Sequence, residues 1–219
     1  MMSKLLRKKI IIICGHYGSG KTNIAVNLAM NLRRNSSAKR IALVDLDVVN
    51  PFFRSADNIT ELEQFGVRCI IPQFANTNVD APSIPPEIYS VFDDTRDTRA
   101  VIDVGGDAVG ASVLGMFSKK IKEYNHEMIY VVNKYRPLIA DVEAAVGLAR
   151  AIEDKARLKV TSVINNSNIG EFTTESDILV TFDYARRISE ELGVPRLANT
   201  AFINAQGTDR INNYTKKIF

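Results

Sequence analysis

The chain has 219 residues, 46% of them hydrophobic and 24% charged, which suits a single domain spanning 1–219 rather than two small ones. A net charge of +3 is too small to imply a nucleic-acid partner, which calls for a concentrated basic face. No apolar run is long enough to span a bilayer, and Cys14 and Cys69 read as buried free thiols of a reducing, cytoplasmic compartment rather than as a disulfide or metal site.

The start, MMSKLLRKKI, leads into a short apolar run that ends in a glycine loop, which reads as a buried strand and not as a signal peptide. Seven β-rich runs follow in order: KKIIIIC, RIALVDLD, VRCIIP, RAVIDVGG, HEMIYVVN, LKVTSVINN and VPRLANTAF. Between most of them lie helical patterns, at Thr22 to Arg34, Ala108 to Tyr124, Leu138 to Lys155 and Glu175 to Leu192. Alternation of strand and helix predicts an α/β fold, a three-layer doubly wound and mainly parallel sheet of about seven strands. The runs IIIIC and MIYVV are apolar at nearly every position, as strands covered on both faces must be. The stretch Pro72 to Pro86 is irregular but too apolar for disorder, and is expected to be an ordered loop near the site.

In a parallel sheet the ligand sits beyond the carboxyl ends of the strands, so the residues after each run carry the chemistry. After the first comes GHYGSGKT, a GxxxxGK[ST] loop between strand and helix, the setting of a phosphate-binding P-loop. Backbone N–H groups from Gly15, His16, Tyr17, Gly18, Ser19 and Gly20 would turn toward the phosphates. Lys21 would neutralise their charge, Thr22 would ligate Mg²⁺, and Asn23 continues into the helix. After the second run, Asp45 and Asp47 are expected to be divided, one facing the metal and the other the attacking water. After the fourth, Asp103 closes an hhhhD pattern and should hold Mg²⁺ through water. Asp103 to Gly106 also reads DxxG, whose glycine N–H could bond a γ-phosphate and lose that bond on hydrolysis.

The base pocket separates ATP from GTP. NKYRP, Asn133 to Pro137, invites comparison with the NKxD of guanine readers, but Arg136 offers only donors where guanine needs an acceptor. After the sixth run, Asn166 in VINNSN can pair with adenine, so ATP with Mg²⁺ is the expected ligand.

With GHYGSGKT, VDLDVVNP, VIDVGGD and VINNSN in this order, the chain resembles the MinD/ParA group of P-loop ATPases, which also includes the nitrogenase iron protein and the nucleotide-binding domain of cobyrinic acid a,c-diamide synthases. The resemblance implies Lys21 and Thr22 on phosphates and Mg²⁺, Asp47 orienting the hydrolytic water, Asp103 in the metal shell, and Asn166 on adenine, and with that assignment of Asp47 the metal side of the pair falls to Asp45. It also implies a homodimer closed around ATP, and the loops after Asp47 and Asp103 fit a switch that changes shape on hydrolysis and releases a protein partner. One departure concerns that dimer: the family loop reads KGGxGKT, and this chain has His16 and Tyr17 in place of the Lys–Gly pair. A histidine, largely neutral at pH 7, is a weaker clamp than the lysine that crosses the dimer, so Arg54 and Arg136 are candidates for the missing charge.

Two other functions fit the same loops: an ATP-dependent ligase or small-molecule kinase with an acceptor pocket at Pro72 to Pro86, and a metallocentre chaperone GTPase. The first lacks a nucleophile pair, and the second lacks Cys/His clusters. At the C-terminus, Ile211, Tyr214 and Ile218 at helical spacing beside Lys216 and Lys217 suggest a docked terminal helix in preference to a membrane-binding tail.

Overall fold

The computed structural model describes residues 5, 7–47, 56–71, 86–92, 97–106, 108–202 and 213–216. Strands β1 (Ile10–Gly15), β2 (Arg40–Leu46), β3 (Val67–Ile70), β4 (Thr98–Val104), β5 (His126–Val132), β6 (Ser162–Asn165), β7 (Arg196–Phe202) and β8 (Asn213–Lys216) form one sheet in the order β3-β2-β4-β1-β5-β6-β7-β8. Every neighbouring pair is parallel. The seven expected strands are present, and β8 is added to them.

The central strands are buried on both sides because their residues divide by parity between two cores. Ile10, Ile12 and Cys14 of β1 pack with Ala42, Ile102, Met128 and Tyr130 on one face. There α3 (Ala108–Met116), α5 (Val142–Ala156) and α7 (Phe182–Leu192) cover the sheet, with Leu114, Ile152 and Ile188 pointing inward. Ile11 and Ile13 pack with Leu43, Val101, Ile129 and Val131 on the other face, beneath Ile24, Leu28 and Leu32 of α1 (Lys21–Asn35). These are the three expected layers. Among the described residues, no helix is long and apolar enough to cross a membrane.

The expected helices differ in where they stop. Ala108 to Tyr124 divides into α3 and α4 (Ser118–Lys122), because Phe117 closes a short turn onto the Leu114 carbonyl and the Ser118 hydroxyl donates to the Gly115 carbonyl at 2.8 Å. Phe117 itself is buried against the Phe92 ring, with centroids 6.0 Å apart. Leu138 to Lys155 begins late. Pro137–Ile139 forms a 3-10 turn, and Asp141 starts α5 by accepting from the Ala144 N–H at 2.7 Å. Glu175 to Leu192 breaks between α6 (Glu175–Leu179) and α7, where the Thr181 hydroxyl donates to the Ile178 carbonyl. A helix not singled out above, α2 (Ala56–Gln64), precedes β3.

The C-terminal expectation is corrected. Asn213–Lys216 is a strand, not a helix, with Asn213 opposite Asn199 and Lys216 opposite Phe202 of β7. Tyr and Thr favour extended backbone, and pairing here covers the edge that β7 would otherwise leave open. Ile211 and Ile218 lie outside the described residues, as do Arg54 and residues 72–85 of the expected site loop.

Candidate functional site

The order of the sheet decides what meets at the end of β1. The chain leaves β1, builds β2 and β3 to one side, returns to insert β4 beside β1, and then crosses to β5 on the other side. Such a reversal leaves a crevice beyond the carboxyl ends of the strands. Register then aligns the acids: Asp103 lies opposite both Ile13 and Asp45. Asp45 and Asp103 are 1% and 2% exposed, although neither type is comfortable without water.

Asp45 lies within β2 and is buried, whereas Asp47 lies past its end: the Asp47 N–H donates to Asp45 Oδ1 at 2.8 Å, turning the chain just past Leu46. A Cβ built on Gly105 would lie 3.4 Å from Asp47 Oδ1.

The loop at Gly15 to Thr22 closes with the Ser19 N–H donating to the His16 carbonyl at 3.1 Å. Gly20, in the left-handed region at φ 87°, opens α1. Lys21 is buried, and its Nζ donates to the His16 carbonyl at 3.2 Å, so the ammonium folds back over the loop. The Asp103 carboxyl is pushed up to about 6 by burial, against the lowering effect of Lys21 and of a hydrogen bond from Thr22, with Asp47 raising it further. Its Oδ1 is buried with no protein partner, as is the Ser19 hydroxyl.

An orphaned carboxylate oxygen beside a threonine hydroxyl and a lysine fits a hard divalent cation bound mostly through water and phosphate oxygens. Among the described residues no three His, Cys, Asp or Glu side chains gather into a metal cage. Any metal here would depend on Thr22, on Asp103 or Asp45 or both, and on phosphate and water oxygens. Gly106 packs directly on the loop, since a Cβ there would come within 2.5 Å of the Tyr17 backbone nitrogen.

Two braces behind the loop come from residues far along the chain. Arg136 Nε donates to the Gly18 carbonyl at 2.7 Å. The Asn166 amide donates to the Ser19 carbonyl at 2.5 Å, and its oxygen accepts the Thr200 hydroxyl. Asn166, expected on adenine, is fully buried and turned toward the protein, so pairing with a base would require it to leave both partners. His16 is likewise engaged, with Nδ1 2.7 Å from the Tyr17 carbonyl. Asn23 extends along α1, where its carbonyl accepts from Asn27 Nδ2 at 2.7 Å.

The residues overlooked in the sequence are Asn165 and Thr200, and Asn133 enters there only as the head of NKYRP. Buried Asn133 uses its oxygen to accept from the Tyr135 and Asn168 N–H groups, tying the loop after β5 to that after β6. Asn165 donates to the Thr181 hydroxyl and to Asn199. The available signal was an asparagine at the carboxyl end of both HEMIYVVN and LKVTSVINN, where an apolar run meets a buried polar position. Cys14 is inert, its thiol pushed up to about 12 by burial while it donates to the Ile129 carbonyl.

Comparison with known proteins follows the same lines. The CobQ/CobB/MinD/ParA nucleotide binding domain family matches residues 10–180. A stretch of 46 residues is 44% identical to the iron-sulfur cluster transfer protein NUBPL of Mus musculus, covering 21% of this chain and 14% of that protein. Among solved structures, the signal recognition particle receptor FtsY from Elizabethkingia anophelis superposes with a TM-score of 0.52 at 20% identity, over 90% of this chain and 63% of that one. Chloroplast FtsY from Physcomitrella patens gives 0.55 at 14% identity, over 88% and 58%. The chain thus spans less than two thirds of those proteins, and at such identities the likeness is one of fold.

Proposed function

Because the chain belongs to the CobQ/CobB/MinD/ParA nucleotide-binding family, we propose that it binds ATP with Mg²⁺ at Gly15 to Thr22, hydrolyses it slowly, and serves as a nucleotide-dependent switch. The observation that carries this reading is the convergence of Lys21, Thr22, Asp103, Asp47 and Gly106 on one glycine loop at the reversal point of the sheet. Lys21 exchanges the His16 carbonyl for phosphate oxygens, a modest movement of a side chain already over the loop. Thr22 and Asp103 hold the cation, which supplies charge neutralisation for the phosphates. Asp47, past the end of β2, orients the attacking water. Gly106, stacked on the Tyr17 backbone, would feel the loss of the terminal phosphate directly.

Arg136 is tied to Gly18 and so already stands at the loop, where it can stabilise developing negative charge. ATP is preferred to GTP in this reading because Arg136 supplies no acceptor for guanine. The test is titration of the purified chain with ATP and GTP in Mg²⁺, together with phosphate release. ATP should bind at least ten times more tightly than GTP, Lys21→Ala should abolish binding, and Asp47→Asn should keep binding while losing most turnover. Preference for GTP would move the chain to the metallocentre GTPase reading. Transfer of phosphate to a metabolite in place of water would move it to the kinase reading.

A further inference from the structure

The opposite edge of the sheet holds a second cluster of charge. Arg33 sits in the last turn of α1, Arg40 opens β2, Arg68 is the second residue of β3, and Lys39 precedes β2. With Ser90 and Thr98 they line a recess of about 250 Å³ at the amino ends of β2 and β4. The sheet is parallel, so a seven-residue strand separates this recess from the Lys21 loop by roughly 20 Å.

Two of the cations are held in place. Arg68 Nη1 donates to the Ser90 hydroxyl at 3.1 Å, and that hydroxyl donates in turn to the Glu87 carbonyl. Arg33 lies over Gly66, whose left-handed backbone at φ 85° brings no Cβ; one added there would come within 2.7 Å of Arg33 Nε. Arg34 is turned away, with its guanidinium 4.8 Å from the Phe65 ring centre.

Among the described residues none of the four cations is in an ion pair. Asp97 accepts from the Lys39 backbone N–H at 3.2 Å through Oδ2 and keeps its negative charge, but the four cations outnumber it, and Glu63 and Glu87 are exposed. Like charges so gathered repel one another unless an anion lies between them.

We propose that this recess binds a small phosphate-bearing anion of the pyrophosphate class. Three guanidinium forks and an ammonium match a multivalent oxyanion, where a single carboxylate would leave charge unopposed. Thr98 adds a hydroxyl suited to a phosphate oxygen, while the Ser90 hydroxyl, committed to the Glu87 carbonyl, serves to orient Arg68. The volume admits one or two phosphoryl groups with little besides, which favours a compact ligand over a whole nucleotide. The cations surround one concavity instead of running along a face, and the nearby Phe65 ring is covered on one side by Arg34.

The experiment uses the full chain with Lys21→Ala, which silences the nucleotide loop, titrated calorimetrically with sodium pyrophosphate at low salt. One binding site should remain, weakening as salt rises because its cations are exposed. Adding Arg33→Gln and Arg68→Gln should weaken it at least tenfold. The same two substitutions in a chain with Lys21 intact should leave ATP binding unchanged, which also verifies folding and keeps this result separate from the fate of the nucleotide reading. The proposal is overturned if Lys21→Ala binds no pyrophosphate, or if the glutamine pair leaves binding as it was. It is equally overturned if single-stranded RNA or phosphatidylserine vesicles bind through these arginines while pyrophosphate does not.

Discussion

Asp103 is a carboxyl that the fold holds at a cost. Its folded value near 6 exceeds that of an ordinary exposed Asp, 3.8, so between these values the native chain keeps a proton that the unfolded chain releases. Stability without metal therefore falls as pH rises from about 4 through 6, and the shift corresponds to about 3 kcal/mol at most. Asp103→Asn should flatten this dependence. In EDTA the variant should melt higher than the parent above pH 6 and no higher near pH 4, while losing Mg²⁺-dependent ATP binding. Equal melting profiles from pH 4 to 8 would show that burial is not what sets this group. At this scale the proximity of Lys21 and Thr22 to Asp103 was legible because the GxxxxGK[ST] loop and an hhhhD run each finish at the carboxyl end of a strand, where a parallel sheet brings such ends together. The orientation of Asn166 was not. Its amide has donors and acceptors enough for a base or for the Ser19 carbonyl and Thr200 hydroxyl, and only the approach of β7 decides between them.

Among the elements, the turn after β4 packs backbone to backbone against the phosphate loop. A methyl group on Gly106 meets the Tyr17 nitrogen at 2.5 Å, far inside contact distance, and backbone rather than a flexible side chain must yield. Gly106→Ala should lower ATP affinity or turnover at least tenfold with a cost in stability of about 1–3 kcal/mol. Chemical denaturation and a phosphate-release assay on the same sample would measure both, and wild-type values in each would remove Gly106 from the mechanism. Strands were the readable elements, since runs such as IIIIC and MIYVV meet core on both faces and leave little choice of period. Helix ends were less readable. The break at Phe117 comes from a turn and a ring stack with Phe92, a residue outside the periodic stretch itself. The C-terminal segment failed for a related reason: three apolar residues at helical spacing compete poorly with an open sheet edge, and β7 supplies that edge.

At the scale of the molecule, half of the exposed large apolar side chains among the described residues stand on loops that follow the carboxyl ends of the strands, while others, such as Met116 and Tyr89, lie elsewhere. Tyr17, Leu138, Ile169 and Phe172 are 63%, 74%, 47% and 76% exposed, following β1, β5 and β6. This is the side of the sheet that carries the Gly15 to Thr22 loop, and a second copy meeting the first there is the homodimer that the family resemblance implies. Sedimentation should show self-association with Mg²⁺ and a non-hydrolysable ATP analogue but not with ADP, and Phe172→Ser should weaken it at least fivefold. A single species under all conditions would exclude the dimer.

The braces on the phosphate loop also have a history in time. Gly18 finds its partner 118 residues further along the chain, and Ser19 finds its own after 147. During synthesis the loop is made among the first segments, yet the last of its outward carbonyls goes unanswered until the sixth strand has left the ribosome. At about 5–20 residues per second that wait lasts on the order of ten seconds. The two outward carbonyls of the loop are thus answered in turn, the first after β5 and the second only once β6 has been made.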